Sequence, residues 1–280
     1  MKMIRKFAMG LTALLMPATA FAQEAAAPDI EMWRLDCGNL VLSDTGPFSD
    51  GHLYDGQPRT LTDSCYVIRN GERYLLWDAG LSGQLLGASM TQWIFTMWLD
   101  RTIVDQLGDI GLTPENITFL GLSHYHDDHI GQASDFAEST LLMNRRDFEV
   151  VASGANASAA AALAPWLGDD AGEVADFGRD HDVFGDGSVT ILSMPGHTPG
   201  HSSLLVRLPE TGPVLLTGDL YHFREQIENE GVPTFNTDRA DTLASFARFL
   251  QIDQALDAMI VIQHDPGDLE RLPAFPASAR

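Results

Sequence analysis

Residues 123 to 131 read Ser-His-Tyr-His-Asp-Asp-His-Ile-Gly. Three histidines and two aspartates fall within six positions, at the spacing His-x-His-x-Asp-His. Burying imidazoles costs free energy unless each finds a polar partner, so a folded chain gains little by crowding them together. A transition metal removes that cost, because neutral imidazole nitrogen and carboxylate oxygen are ligands for zinc and also suit other first-row metals. The fold must therefore carry this stretch to a place where further ligands converge. A polar loop that merely happens to be rich in histidine would need no such partners.

Partners are present, and they recur at one kind of position. Hydrophobic patterning predicts short strands over 64–69 and 74–77, joined as a hairpin by the turn dipeptide Asn70-Gly71. Further strands are expected over 117–122, 140–143, 189–193, 203–207, 214–217 and 260–263. Helices are expected over 157–167, which is rich in alanine, and over 242–252, where Leu243, Phe246, Phe249 and Leu250 share a face; a third ends over 103–108. Asp78, His124, His197, Asp219 and His264 each follow the end of one of these strands. Loops at strand ends are where α/β folds assemble sites on a rigid scaffold. One such residue would be unremarkable, but five of them joined to the cluster point to a single metal site in one compact α/β domain. His124 and His126 are two apart, so on extended chain they leave on the same side.

The first 22 residues read as a secretory signal peptide, with basic Lys2, Arg5 and Lys6, an apolar run from Phe7 to Met16, and a small-x-small site at Ala20-Phe21-Ala22. That predicts a mature domain over 23–280, exported most simply to a bacterial periplasm. No later stretch reaches the roughly 18 uninterrupted apolar residues of a membrane helix. The mature chain carries 14 Lys and Arg against 39 Asp and Glu, a net charge of −25. Such a surface repels a phosphate backbone, which argues against nucleic acid as a partner. Cys37 and Cys65 lie in apolar, strand-like segments. An oxidising compartment allows a bridge between them, and two buried free thiols on neighbouring strands fit the pattern as well.

The motifs Trp77-Asp78-Ala79-Gly80, His124-Tyr125-His126-Asp127-Asp128-His129, Pro195-Gly196-His197-Thr198-Pro199-Gly200-His201, Thr217-Gly218-Asp219 and Gln263-His264-Asp265 together resemble the metallo-β-lactamase superfamily, across essentially the whole mature sequence. The resemblance implies an αβ/βα four-layer sandwich with a two-metal site at one edge of the sheets. It implies that His124, His126 and His197 hold one zinc ion, that Asp128, His129 and His264 hold a second, and that Asp219 bridges them. Asp78 would orient a ligand from behind, and His201 is as well suited to bracing the loop after His197 as to ligation.

Within the superfamily, the penicillin-hydrolysing subclass with a similar cluster generally lacks a bridging carboxylate, so Asp219 argues against it. Glyoxalase II-type thioesterases usually carry an extra basic C-terminal region, and residues 266–280 are short and contain no Lys. The segment Gly218-Asp219-Leu220-Tyr221-His222-Phe223, with Val232-Pro233-Thr234-Phe235-Asn236, most resembles the N-acyl-homoserine lactonases. Many of those have a tyrosine three residues after the bridging aspartate, where this chain has His222 and, one place earlier, Tyr221. Either would assist the oxyanion. The resemblance thus implies opening of an acyl lactone by a metal-bridging hydroxide, with Asp128 relaying a proton to the leaving oxygen. Residues 85–99, with Met90, Trp93, Phe95, Met97 and Trp98, are expected to contact the acyl chain as a flap, while core packing or a homodimer interface stays open for them. The competing readings are a β-lactamase or thioesterase of the same fold, and a non-catalytic periplasmic metal-binding protein.

Overall fold

The computed structural model describes residues 29–280, so the expected signal peptide lies outside the described residues. One sheet contains eight strands: β1 (Ile30–Leu42), β2 (Arg59–Asn70), β3 (Arg73–Trp77), β4 (Ser89–Gln92), β5 (Phe95–Trp98), β6 (Phe119–Gly121), β7 (Thr140–Asn144) and β8 (Val174–Phe177), in the order β4-β5-β1-β2-β3-β6-β7-β8. The second holds β9 (His181–Asp182), β10 (Val189–Ser193), β11 (Ser202–Leu208), β12 (Gly212–Leu216) and β13 (Met259–Val261), in the order β13-β12-β11-β10-β9. Helices α1 (Ile103–Asp109), α2 (Asp127–Ile130), α3 (Arg145–Ala152), α4 (Ala157–Ala162), α5 (Glu225–Asn229) and α6 (Arg239–Leu256) complete the chain. Among the described residues no helix is long and apolar enough to cross a membrane.

Side-chain alternation along the strands builds the layers, because successive residues point to opposite faces. In β11, Leu204, Val206 and Leu208 face the first sheet while Leu205 packs with Phe246 and Phe249 of α6. In β3, Leu75 and Trp77 enter the space between the sheets, and Leu76 joins Ile103 and Leu107 of α1 on the outer side. Both faces of these strands are buried, hence their continuous apolar runs. The result is the expected four-layer αβ/βα sandwich.

Two expectations change in detail. The alanine-rich helix stops at Ala162 rather than 167, since Pro165 has no N–H to continue it and residues Ala164–Trp166 tighten into a 3-10 turn. The helix expected over 242–252 is longer at both ends, starting at Arg239 because the Asp238 carboxylate accepts from the Asp241 N–H at 2.8 Å. The two cysteines are bonded to each other. In the β1–β2 ladder Leu35 stands opposite Cys65, and a bulge between Asp36 and Gly38 brings Cys37 within a Cα separation of 5.8 Å from Cys65.

Parallel pairing fixes where the polar residues emerge. Strands β3, β6 and β7 run parallel, with Trp77 opposite Gly121, so Asp78 and His124 leave the same edge. Strands β12 and β13 are also parallel, with Leu216 opposite Val261, and Asp219 and His264 each lie three residues further on. Ligand sites of α/β folds form at such carboxyl-terminal strand edges.

Candidate metal centre and active site

Histidine rings fill this edge, and four of them are held from behind. His197 Nδ1 donates to Asn236 Oδ1 at 2.9 Å, His264 Nδ1 to the Thr62 carbonyl at 2.8 Å, and His129 Nδ1 to Asp78 Oδ2 at 3.0 Å. All three acceptors are oxygens, so these nitrogens carry the ring protons and the Nε2 lone pairs turn inward. His124 Nδ1 lies 3.0 Å from the Ser123 hydroxyl. Asp78, with φ +60, accepts also from the Ser123 N–H (2.7 Å) and the Gln263 Nε2 (2.7 Å), which makes it the orienting residue behind His129.

The inward atoms form two groups. His124, His126, His197 and Asp219 offer one ligand atom each within 4.8 Å of one another, and so do Asp128, His129 and His264. His197 Nε2 is 3.2 Å from His124 Nε2 and 2.9 Å from His126 Nδ1, and His264 Nε2 is 3.2 Å from His129 Nε2. Asp219 stands between the groups. Its Oδ1 is 3.0 Å from both His129 Nε2 and His264 Nε2, while its Oδ2 is 3.2 Å from His197 Nε2 and 3.7 Å from His124 Nε2.

Lone pairs aimed at lone pairs and at a carboxylate repel unless a cation sits among them, so the donor set fits metal ions. The protonation pattern agrees. Burial, with the neighbouring histidines, drives His124 well below the usual imidazole range and His126 to about 3. Burial opposes charge on His264 as well, but Asp219 outweighs it and lifts this ring to about 9; His129 is raised by the same carboxylate. Burial would raise Asp219, yet His129 and His264 hold it well below the usual carboxylate range. Without a cation, protons would take its place.

His201 is not among the inward-facing donors. The Asp219 N–H donates to its Nε2 at 2.9 Å, and its Nδ1 donates to the Met194 carbonyl at 2.9 Å, so neither nitrogen has a lone pair to spare. It braces the backbone of Asp219, whose carboxylate stands between the two ligand groups. His222 lines the cavity, with Nε2 3.1 Å from Asp219 Oδ2. Of the two alternatives the sequence leaves open, Tyr221 stands away from the cavity: its ring is buried, stacked on Phe246 at 4.4 Å, and packs against α6 on the far side of the chain from His222. Adjacent residues on extended chain point to opposite sides.

Above the ligands lies a cavity of about 320 Å³ lined by Phe48, Leu61, Trp93, Phe95, Met97 and Phe235, with His126, Asp128, His197, Asp219, His222 and His264 at its floor. That volume suits a small molecule. Residues 85–99 supply Trp93, Phe95 and Met97 through the hairpin of β4 and β5; Met90 and Trp98 do not line it. Sequence reasoning did not single out Phe48, or Asp147, whose buried carboxylate accepts from the Thr198 hydroxyl and the Gly200 N–H and so shapes the loop after His197. Neither stands within a motif, so no local signal marks it.

Two stacked sheets with outer helices, and a His/Asp centre with two groups of metal-competent donors at their edge, define a metallohydrolase-type site. The chain belongs to the metallo-beta-lactamase superfamily, whose sequence model matches residues 59–264. Among its relatives, the N-acyl homoserine lactonase AttM of Rhizobium radiobacter is 31% identical over 196 residues, covering 64% of this chain and 70% of that protein. An N-acyl homoserine lactonase of a Bacillus species is 29% identical over 232 residues, covering 80% and 89%. A solved quorum-quenching N-acyl homoserine lactone hydrolase superposes with a TM-score of 0.73 at 22% identity, covering 89% of this chain and 97% of that one.

Proposed function

We propose that this protein is a dinuclear metallohydrolase that opens the lactone ring of N-acyl homoserine lactones. The observation that carries the reading is the divided carboxylate of Asp219, one oxygen turned to each ligand group, at the floor of an apolar cavity. His124, His126, His197 and Asp219 would hold one zinc ion, and Asp128, His129, His264 and Asp219 the other. Such a pair, when bound, supplies Lewis acidity and a water nucleophile at neutral pH. The relatives AttM and the Bacillus enzyme, both named as N-acyl homoserine lactonases, support the substrate class.

The chain's own residues do the rest. Asp78, Ser123, Asn236 and the Thr62 carbonyl fix the ring orientations, so the site is organised before substrate arrives. Water adds across the ester: the ring C–O bond breaks, a carboxylate forms, and the departing ring oxygen takes a proton. Asp128 lines the cavity and is partly exposed, and we assign it the proton relay to that oxygen. His222 is the second catalytic candidate, at the floor beside Asp219. The aromatic walls take the acyl chain and exclude water. Export to the periplasm is supported by the leader-like first 22 residues and by the Cys37–Cys65 bond, which fits an oxidising compartment.

The test offers purified protein an acyl-homoserine lactone, a chromogenic cephalosporin and a glutathione thioester, with bound metal counted in parallel. The reading predicts opening of the lactone in preference to the other two. Cephalosporin turnover without lactone opening would assign a β-lactamase instead, and bound metal without turnover a binding protein.

A further inference from the structure

The cavity contains one polar group that the hydrolytic step does not use. Asn156 lies in its wall, at the start of α4. The Ala159 N–H donates to the side chain of Asn156 at 3.0 Å, and only the carbonyl oxygen of an amide can accept. That bond therefore fixes Oδ1 toward the helix and leaves Nδ2, with two hydrogens, on the other branch. Among the described residues no protein atom accepts a hydrogen bond from Nδ2.

The remaining polar groups around the cavity do not offer a comparable donor. Asp127, Asp128 and Asp219 accept, and Asp127 is already engaged by the Ser158 hydroxyl at 2.7 Å. The floor histidines of the two ligand groups are turned to the metal positions, and the Nε2 of His222 is engaged by Asp219 at 3.1 Å. Gln92 ends β4 and Trp93 sits on the exposed turn that follows, where Trp93 is 63% exposed, and nothing pins the Gln92 amide. Asn156 is thus the preorganised donor beside the aromatic wall.

An N-acyl homoserine lactone carries an amide carbonyl between its ring and its chain. Seated with the ring over the metal positions and the chain along the aromatic wall, that carbonyl would be buried, and leaving it unpaired costs binding free energy. We propose that Asn156 is a specificity-determining residue that donates from Nδ2 to the amide carbonyl of the substrate. The proposal rests on the lactonase reading above and deepens it: the protein would select amide-bearing lactones over plain alkyl lactones.

The experiment compares kcat/KM for hexanoyl homoserine lactone with that for a γ-alkyl lactone of matched chain length, which has no amide. Both are measured with the metal-loaded wild type, Asn156→Ser and Asn156→Asp. Ser and Asp keep the helix cap, as both are preferred there, but neither ionised Asp nor the shorter Ser replaces the amide donor. The expected result is a fall of about tenfold in the ratio of the two kcat/KM values for Asn156→Ser, the worth of one hydrogen bond, and a larger fall for Asn156→Asp. A ratio that stays at the wild-type value in both variants overturns the proposal and leaves the lactonase reading intact. Wild-type protein that opens the alkyl lactone and not the homoserine lactone refutes the substrate reading itself, and the role of Asn156 with it.

Discussion

Replacing His201 by Leu probes how Asp219 is held between the two ligand groups. His201 is fully buried and satisfies two backbone groups, the Asp219 N–H and the Met194 carbonyl, each at 2.9 Å. Burial, helped by His197, pushes its imidazole down to about 3, so the ring stays neutral and its two nitrogens keep their separate donor and acceptor roles. Leucine fills comparable space but strands both backbone groups. Each orphaned buried group costs about 1–3 kcal/mol, which gives a predicted loss of about 2–6 kcal/mol. His201→Gln supplies one acceptor and one donor and should recover about half of that or more. The assay is urea unfolding of the metal-free proteins, with metal-to-protein ratio measured on separately loaded samples. Leu at 201 should both destabilise the fold and reduce the metal retained, because Asp219 loses its backbone anchor. A Leu variant within about 0.5 kcal/mol of wild type, or one that keeps its full metal complement, would refute the bracing role.

Three further outcomes follow from the packing. Tyr221→Phe should leave kcat/KM within about twofold of wild type, whereas Tyr221→Ala should cost about 3–5 kcal/mol by emptying the space beside Phe246; a large activity loss in the Phe variant would return the hydroxyl to the mechanism. In Gly131→Ala the new Cβ would lie 2.2 Å from the Ser82 nitrogen and 2.6 Å from the Gly80 oxygen, both backbone, so α2 must shift and carry Asp128 and His129 with it. A loss of about 1–3 kcal/mol, with reduced metal retention, is expected by thermal melting and metal analysis, and an unchanged melting temperature would contradict it. Removing both cysteines (Cys37→Ala with Cys65→Ala) opens a 28-residue separation and should lower stability by about 3 kcal/mol, read by urea unfolding against the oxidised wild type.

Much of the layout was legible because the chemistry demands particular residue types. His124, His126 and His129 crowd one strand end, and no packing argument explains them, so a metal does. The apolar runs at 64–69 and 214–217 report burial on both faces, which is the sandwich itself. What supports the ligands was harder to read. Thr62 holds His264 through a backbone carbonyl that every residue owns, and Asn236 meets His197 across 39 positions of chain. The cysteine bridge depends on a one-residue bulge after Asp36, which strict alternation does not foresee. Tyr221 and His222 are neighbours in sequence, and only the turn of the chain after β12 decides which enters the site.

The central claim is that two metal ions, joined through Asp219, act together on a lactone. The direct measurement is hydrolysis of hexanoyl homoserine lactone as zinc is added stepwise to metal-free protein. The account predicts activity that rises to a plateau at two equivalents in the wild type, while Asp219→Ala fails to retain the second ion and loses activity with it. A plateau at one equivalent, or full activity with two ions bound in Asp219→Ala, would contradict it.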